Sequence, residues 1–124
     1  MTEPLALVLY ERLMPGSSLV NRLQDRKFRV QTISDADLLV PSAEQTKPML
    51  VLADLESNPA KVCDAIGRLR QNAGTAHIPV IGFGTEPSEG VADQARKAGA
   101  NLIANEAAIL GHLEQLIDQA LDIR

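Results

Sequence analysis

Aromatic residues are scarce in this chain of 124 residues, which contains Tyr10, Phe28, Phe83 and no tryptophan. Stacking platforms for nucleobases or flavins are therefore nearly absent, and the core must be aliphatic. The single cysteine, Cys63, excludes an internal disulfide, and its apolar neighbours in a helical pattern indicate a small core residue. No apolar run approaches the roughly 18 residues that a membrane span needs.

Positive charge is also limited, because the chain has 12 basic and 16 acidic residues and a net charge of -4. Clustered Lys and Arg side chains drive phosphate binding, so nucleic acid is not an expected partner. The one basic cluster comprises Arg22, Arg26, Lys27 and Arg29, and we interpret it as the solvated end of a helix. The N-terminus lacks the positive stretch of a signal peptide, so we expect a cytoplasmic protein. The length suits a single domain over residues 1–124.

Short apolar runs alternate with segments of helical period, which is typical of a parallel sheet covered by helices on both faces. The pattern predicts strands at residues 5–10, 28–33, 49–53, 78–83 and 101–104. The third of these is a clear central strand that delivers Asp54 at its carboxyl end. The sequence therefore predicts five strand-helix units without an internal linker.

Capping residues and apolar stripes predict where the helices begin and end. The first helix is predicted to start at Ser17 or Ser18, and the second to run from Ser34-Asp35 to before Pro41, followed by a loop to Pro48. The third helix is predicted to start at Asn58-Pro59. The fourth is predicted over residues 87–98, with Gly99 ending it. Asn105 is predicted to cap one continuous final helix.

Three segments of the sequence resemble parts of one family. The segment KPMLVLAD, residues 47–54, is an aliphatic strand preceded by a proline and ended by Asp54. Residues 76–81 read AHIPVI, and residues 95–101 read ARKAGAN. In this order and spacing they resemble the third strand, the fourth strand and the turn before the fifth strand of response-regulator receiver domains. The resemblance implies a three-layer, flavodoxin-like (βα)5 doubly wound parallel sheet of order 2-1-3-4-5, with any site at its carboxyl edge.

The resemblance also implies where a phosphorylation site would lie. In the family, two acids after the first strand and an aspartate after the third hold magnesium, a hydroxyl follows the fourth strand, and a lysine follows the fifth. The corresponding acidic pocket of this chain comprises Glu11, Arg12, Asp54 and Glu56, with Asp54 as the candidate phosphoacceptor. The corresponding switch positions are Gly84 or Thr85 for the hydroxyl, Ile103 for an aromatic residue and Glu106 for the lysine.

Several of these positions carry the wrong chemistry for phosphoryl transfer. Glu106 in place of a lysine turns attraction for a phosphoryl group into repulsion, by about 1 kcal/mol or more for a close pair. An ion pair between Arg12 and Asp54 would leave too little negative charge for a divalent cation, so we expect no metal or other cofactor. A weak magnesium site at Glu11, Asp54 and Glu56 is the alternative.

These departures favour a degenerate receiver domain, or pseudo-receiver. We expect a non-enzymatic signalling domain that binds another protein, such as a histidine kinase or an effector, without conventional aspartyl phosphorylation. The resemblance implies docking through the fourth helix, fifth strand and fifth helix, where Val91, Ala92 and Ala95 are the candidate interaction face. One alternative is a phospho-accepting response regulator that uses Asp54 and has weak autophosphatase activity. A second is a flavodoxin-like small-ligand binder in which Gly16-Ser17-Ser18 cradles a phosphate.

Overall fold

The described part of the chain contains five strands and six helices, and a helix follows each strand. The computed structural model describes residues 4–10, 13–56, 58–84 and 88–122, with the backbone alone at residues 13–17 and 122. The strands are β1 Leu5–Leu9, β2 Arg29–Ile33, β3 Leu50–Asp54, β4 Val80–Gly84 and β5 Leu102–Asn105. The helices are α1 Leu13–Asp25, α2 Leu39–Thr46, α3 Pro59–Gln71, α4 Glu89–Ala98, α5 Glu106–Gly111 and α6 Leu113–Asp122, and a 3-10 turn at Ala36–Leu38 precedes α2.

The strands form one parallel sheet of order β2-β1-β3-β4-β5. This order confirms the predicted flavodoxin-like, doubly wound architecture, in which the direction of winding reverses between β1 and β3. The predicted strand bounds agree with the observed ones to within two residues. All five strands therefore end at a common carboxyl edge, where the chain leaves each strand toward a helix.

Two separate hydrophobic clusters cover the two faces of the sheet. In β1, Leu7 and Leu9 belong to the cluster under α2, α3 and α4, whereas Ala6 and Val8 belong to the cluster under α1, α5 and α6. This alternation places apolar residues at successive positions of the central strands, as expected of a strand buried on both faces. Cys63 of α3 is 3% exposed in the first cluster, which confirms it as a core residue, and burial raises the pKa of its thiol. None of the helices within the described ranges has the length and apolar character that crossing a bilayer requires.

One predicted helix start and one predicted helix end are wrong, and proline is the reason in both cases. Pro15 and Pro41 are each the third residue of a helix, in α1 and α2. A proline in the first turn removes only an N–H that has no intrahelical acceptor, so it is tolerated there. Helix α1 thus begins before Ser17 and Ser18, and α2 continues to Thr46 through the residues that we expected to form a loop. Asp35 does act as a cap, but for the 3-10 turn, where its side chain accepts a hydrogen bond from the N–H of Asp37.

The final helix is divided in two rather than continuous. Gly111 ends α5, and His112 leaves the helical conformation with φ -128° and ψ 31° before α6 begins at Leu113. Glycine weakens a helix interior because it loses more backbone entropy than alanine on folding, so this is a favourable place for a break. The apolar stripe continues on both sides of the break, since Ile109 and Leu113 are both buried in the second cluster.

Candidate functional site

The carboxyl ends of β3, β4 and β5 bring the predicted switch positions to one edge of the sheet. Asp54 ends β3, Gly84 ends β4, and Glu106 immediately follows the last residue of β5. In the register, Asp54 lies beside Phe83, and Gly84 lies beside Asn105. Neighbouring strands are about 4.8 Å apart, so these positions form a short arc around the end of β4.

Asp54 is held almost entirely out of solvent at the end of a fully buried strand, with 2% of its surface exposed. Its Oδ1 accepts a hydrogen bond of 2.9 Å from the N–H of Glu56, two residues along the chain. The sheet bonding continues for one residue beyond the strand, because the N–H of Leu55 donates to the carbonyl of Phe83 at 2.8 Å. These hydrogen bonds fix the direction of the chain at the turn. The bond to Asp54 also offsets part of the free-energy cost of burying a carboxylate.

The other members of the predicted acidic pocket are only partly described. Glu11 and Arg12 lie outside the described residues, so their expected contact with Asp54 remains a prediction. The side chain of Glu56 is exposed, while its backbone N–H binds Asp54. Within the described ranges, no three His, Cys, Asp or Glu side chains are grouped so as to hold a metal ion. The magnesium alternative therefore depends on Glu11.

The hydroxyl and lysine positions carry groups of different chemistry. Gly84 is buried at the end of β4 and has no side chain, while Thr85 lies outside the described residues. Glu106 is half-buried in the first turn of α5, where the positive end of the helix dipole favours a carboxylate. The preceding residue, Asn105, caps this helix, since its Oδ1 accepts a hydrogen bond of 2.8 Å from the N–H of Ala108, as predicted. The structure thus places a second acid at the edge that carries Asp54.

Ile103 takes part in a contact that the sequence analysis missed. A methyl group added to Gly82 of β4 would lie 2.8 Å from Leu55 Cδ1 and 3.1 Å from Ile103 Cδ1. Leu55, directly after Asp54, and Ile103 of β5 therefore cover the same glycine from two sides. Glycine within an aliphatic strand often marks a close approach of another group, and the run VIGFG was the available sequence indication. The side chains of Leu55, in the turn after Asp54, and of Ile103, in β5, thus both pack against Gly82 of β4.

The predicted interaction face is not a surface patch. Ala95 is 0% exposed and Ala92 is 8% exposed, and both point into the protein. Val91 is half-buried and packs against the first hydrophobic cluster. We therefore correct this prediction, because the small apolar stripe of α4 is its inner face and serves to pack the helix on the core.

A groove does lie beside this helix, between its outer residues and the edge strand β5. Its volume is about 780 Å³. Its lining, which we call the α4–β5 groove, consists of Glu89, Ala92, Asp93 and Arg96 of α4 and Ile103, Ala104 and Asn105 of β5.

The segment Gly16-Ser17-Ser18 does not form the loop that the flavodoxin-like alternative requires. All three residues lie within α1, whose backbone is already helical from Leu13. A phosphate cradle after β1 depends on backbone N–H groups free of a helical ladder. Residues 16–18 are beyond the first three residues of the helix, so that part of the alternative is wrong.

No family model matches the chain, and no curated protein matches it in sequence. Solved structures do match: the Vibrio cholerae chemotaxis protein CheY4 has a TM-score of 0.85 and 15% identity, with 97% of this chain and 100% of that chain covered. The receiver domain of a Pseudomonas aeruginosa sensor histidine kinase, which has a magnesium ion in its active-site cleft, has a TM-score of 0.84, 16% identity and coverage of 98% and 99%.

A response regulator from Desulfuromonas acetoxidans has a TM-score of 0.81 and 20% identity, with 97% of this chain and 98% of that chain covered. Each alignment spans nearly the whole of both chains, so the likeness includes every strand of the sheet and the order in which they occur. At these identities the likeness concerns the fold. The chain has the fold of response-regulator receiver domains.

Proposed function

We propose that this protein is a pseudo-receiver: a non-enzymatic, cytoplasmic signalling domain that acts by binding another protein, without conventional phosphorylation of Asp54. The observation that carries the proposal is the presence of Glu106 at the sheet edge that also holds Asp54. A phosphoryl group on Asp54 would add negative charge at an edge that already carries a second carboxylate. Stabilising that charge requires nearby cations and hydrogen-bond donors.

The neighbouring positions support the same conclusion. Gly84 has no hydroxyl to donate to a phosphoryl oxygen, and Ile103 is aliphatic where the resemblance implies an aromatic residue. The partner that we propose is a signalling protein, either a histidine kinase or an effector, because the domain shares its fold with receivers of such systems.

Two observations favour the alternative of a phospho-accepting receiver. Asp54 is kept at the carboxyl end of β3, and a protein with the same fold binds magnesium in its active-site cleft. An isolated aspartate supplies a nucleophile, but the developing charge on the phosphoryl group still needs stabilisation. The two functions therefore differ in whether Asp54 becomes phosphorylated.

Mass spectrometry of the intact protein distinguishes them. The wild type and an Asp54→Asn variant are incubated with magnesium and acetyl phosphate, and a conventional receiver domain is treated in parallel to show that the reagent is active. We expect no added phosphoryl mass on either form of this protein. A phosphoryl adduct on the wild type that is absent from Asp54→Asn would contradict the proposal and establish the alternative.

A further inference from the structure

Strand β2 forms one edge of the sheet, so only one of its two sides faces another strand. The N–H of Arg29, its first residue, donates to the carbonyl of Pro4 at 2.8 Å. The carbonyl of Ile33, its last residue, accepts from the N–H of Tyr10 at 3.0 Å. Successive residues of a paired strand direct their backbone groups to opposite sides. The first, third and fifth residues of β2 therefore turn their backbone groups toward β1.

The second and fourth residues of β2, Val30 and Thr32, turn their backbone groups away from the sheet. Val30 is half-buried and Thr32 is exposed, and no hydrogen bond to the N–H or carbonyl of either is observed among the described residues. Many edge strands are protected by lysine, proline or a bulge. β2 reads RVQTI and pairs with β1 residue for residue, so it has none of these, and its one charged residue is at its first position. The edge therefore presents two donors and two acceptors that an added strand can satisfy.

The space beside this edge is open. A groove of about 660 Å³ lies between β2 and the end of α2. Its lining consists of Leu5 of β1, Arg29, Val30, Gln31 and Thr32 of β2, and Thr46 of α2. An extended segment can therefore reach the outer side of β2 without displacing an element of the described fold.

We infer that β2 pairs with the β2 of a second copy of this chain, in antiparallel orientation, with Gln31 opposite the partner's Gln31. In this register Val30 lies opposite the partner's Thr32, and Thr32 lies opposite the partner's Val30. Each of these pairs exchanges two backbone hydrogen bonds, so all the outward N–H and carbonyl groups of both strands are satisfied. A shift of two residues in either direction would leave one of the two residues without an outward-facing partner.

The side chains of β2 are compatible with the same register. The carboxamides of Gln31 and the partner's Gln31 can bond each other across the two-fold axis, because each has a donor and an acceptor. Arg29 lies opposite the partner's Ile33, which separates it from the partner's Arg29 by four residues along the strand, or about 13 Å. That distance exceeds the screening length of about 8 Å at physiological ionic strength, so the two charges repel each other little. The pairing uses no residue of the carboxyl edge, so it goes beyond the proposed function and does not depend on it.

Sedimentation velocity of the wild type over a range of concentrations tests the pairing. An interface of one short strand lies below the roughly 1,000 Å² of stable complexes, so we expect weak association, with the mean mass rising toward that of a dimer between about 10 µM and 1 mM protein. Amide chemical shifts of the 15N-labelled protein are followed over the same range. The amides of Val30 and Thr32 should shift with concentration. A monomer at every concentration, or shifts confined to other elements, would overturn the inference.

A pair of charge variants tests the register. Gln31→Lys and Gln31→Glu each place like charges directly opposite one another across the two-fold axis, so each should raise the Kd of the dimer about three-fold or more. An equimolar mixture of the two places opposite charges there and should associate at least as strongly as the wild type. A mixture that associates no better than the separate variants would show that position 31 does not face its own copy.

Gln94→Lys and Gln94→Glu are the matched controls, because they make the same changes of charge at an exposed residue of α4. Separately and mixed, they should associate like the wild type. The same pattern at position 94 as at position 31 would assign the effect to net charge and overturn the proposed pairing. Far-UV circular dichroism shows that each variant is folded, and the wild-type series decides the inference even where a substitution prevents folding.

Discussion

At the scale of single residues, the corner between α4 and β5 depends on Gly99 and Arg70. Gly99 has φ 125°, in the region that favours glycine, and ends α4. The Arg70 side chain lies across it, donating from Nε to the carbonyl of Gly99 at 3.0 Å and from Nη2 to Asn101 Oδ1 at 2.7 Å. Burial lowers the pKa of Arg70. Its guanidinium nevertheless donates several hydrogen bonds at once, to main-chain and amide oxygens.

We predict that Gly99→Ala lowers the free energy of unfolding by about 2 kcal/mol or more. The added methyl group would meet the Arg70 side chain, with Nε only 2.9 Å away, and the backbone would be strained at positive φ. Gly67→Ala is the matched control, because Gly67 lies inside α3 with no atom within 4 Å of the added methyl. That change should stabilise the protein by about 0.5–1 kcal/mol. Urea unfolding measures both, and a neutral Gly99→Ala would refute the role of this corner.

Residue identity alone predicted part of the candidate site. Asp54 was expected at the carboxyl edge because an apolar strand precedes it, and Glu106 because the resemblance assigns it the position of the family's lysine; the structure places both residues at that edge. The packing of Leu55 and of Ile103 against Gly82 was missed, since it joins three segments distant in sequence. Periodicity shows which side chains are buried but not which ones meet. The same limit explains the error at Ala95, whose small side chain fits either a surface patch or a close helix contact.

At the scale of elements, the strands were easier to predict than the helix ends. The strand Leu50–Asp54 is buried at every position. A short run that is apolar at nearly every position is typical of a strand covered on both faces. Helix ends were harder to predict, because the effect of a proline depends on its position in the helix. Pro41 suggested the end of a helix, but it lies in the first turn of α2, where a proline removes no hydrogen bond. The caps at Asn58 and Asn105 were predicted correctly because their side chains bond N–H groups within three residues.

An exposed ion cluster joins the 3-10 turn to α3. Lys61 Nζ lies 3.4 Å from Asp35 Oδ1 and 3.5 Å from Asp37 Oδ2, and Arg68 Nη2 lies 3.4 Å from Asp37 Oδ1. The hydrogen bond from the N–H of Asp37 lowers the pKa of Asp35 below its usual 3.8, and Lys61 lowers it further. The carboxylates of Asp35 and Asp37 raise the pKa of Lys61. These shifts make the attachment of the turn dependent on pH.

We predict that Asp35→Asn flattens the acid side of the stability curve. A carboxyl whose pKa is lowered by folding adds stability above its unfolded pKa, and that stability is lost as the pH falls through the lower, folded value. Asparagine keeps the cap oxygen but does not titrate, so the loss below about pH 4 should become smaller. Urea unfolding at a series of pH values measures this. Asp118→Asn, an exposed carboxylate of α6, is the control; an equal effect there would assign the change to net charge.

At the scale of the whole molecule, the two hydrophobic clusters stabilise the fold, because one packs against each face of the sheet. The central strands β1, β3 and β4 are buried on both sides, with Leu7, Leu52 and Phe83 fully enclosed. A domain of this length has enough buried surface to fold without metal or disulfide. Its stability should therefore not depend on an ion at the carboxyl edge, where Asp54 already binds the N–H of Glu56.

We predict that millimolar MgCl2 leaves the thermal unfolding midpoint of this protein unchanged. An ion that binds only the folded state at ten times its Kd would add about 1.4 kcal/mol, which corresponds to a rise of roughly 3–6 °C for a domain of this size. Differential scanning calorimetry resolves such a rise, and NaCl at the same ionic strength controls for screening of charge. A saturable increase with MgCl2 that disappears in Asp54→Asn would show that the edge holds magnesium after all. The carboxylate of Glu106 would then lie beside a cation-binding pocket, and the case against phosphorylation of Asp54 would lose its electrostatic basis.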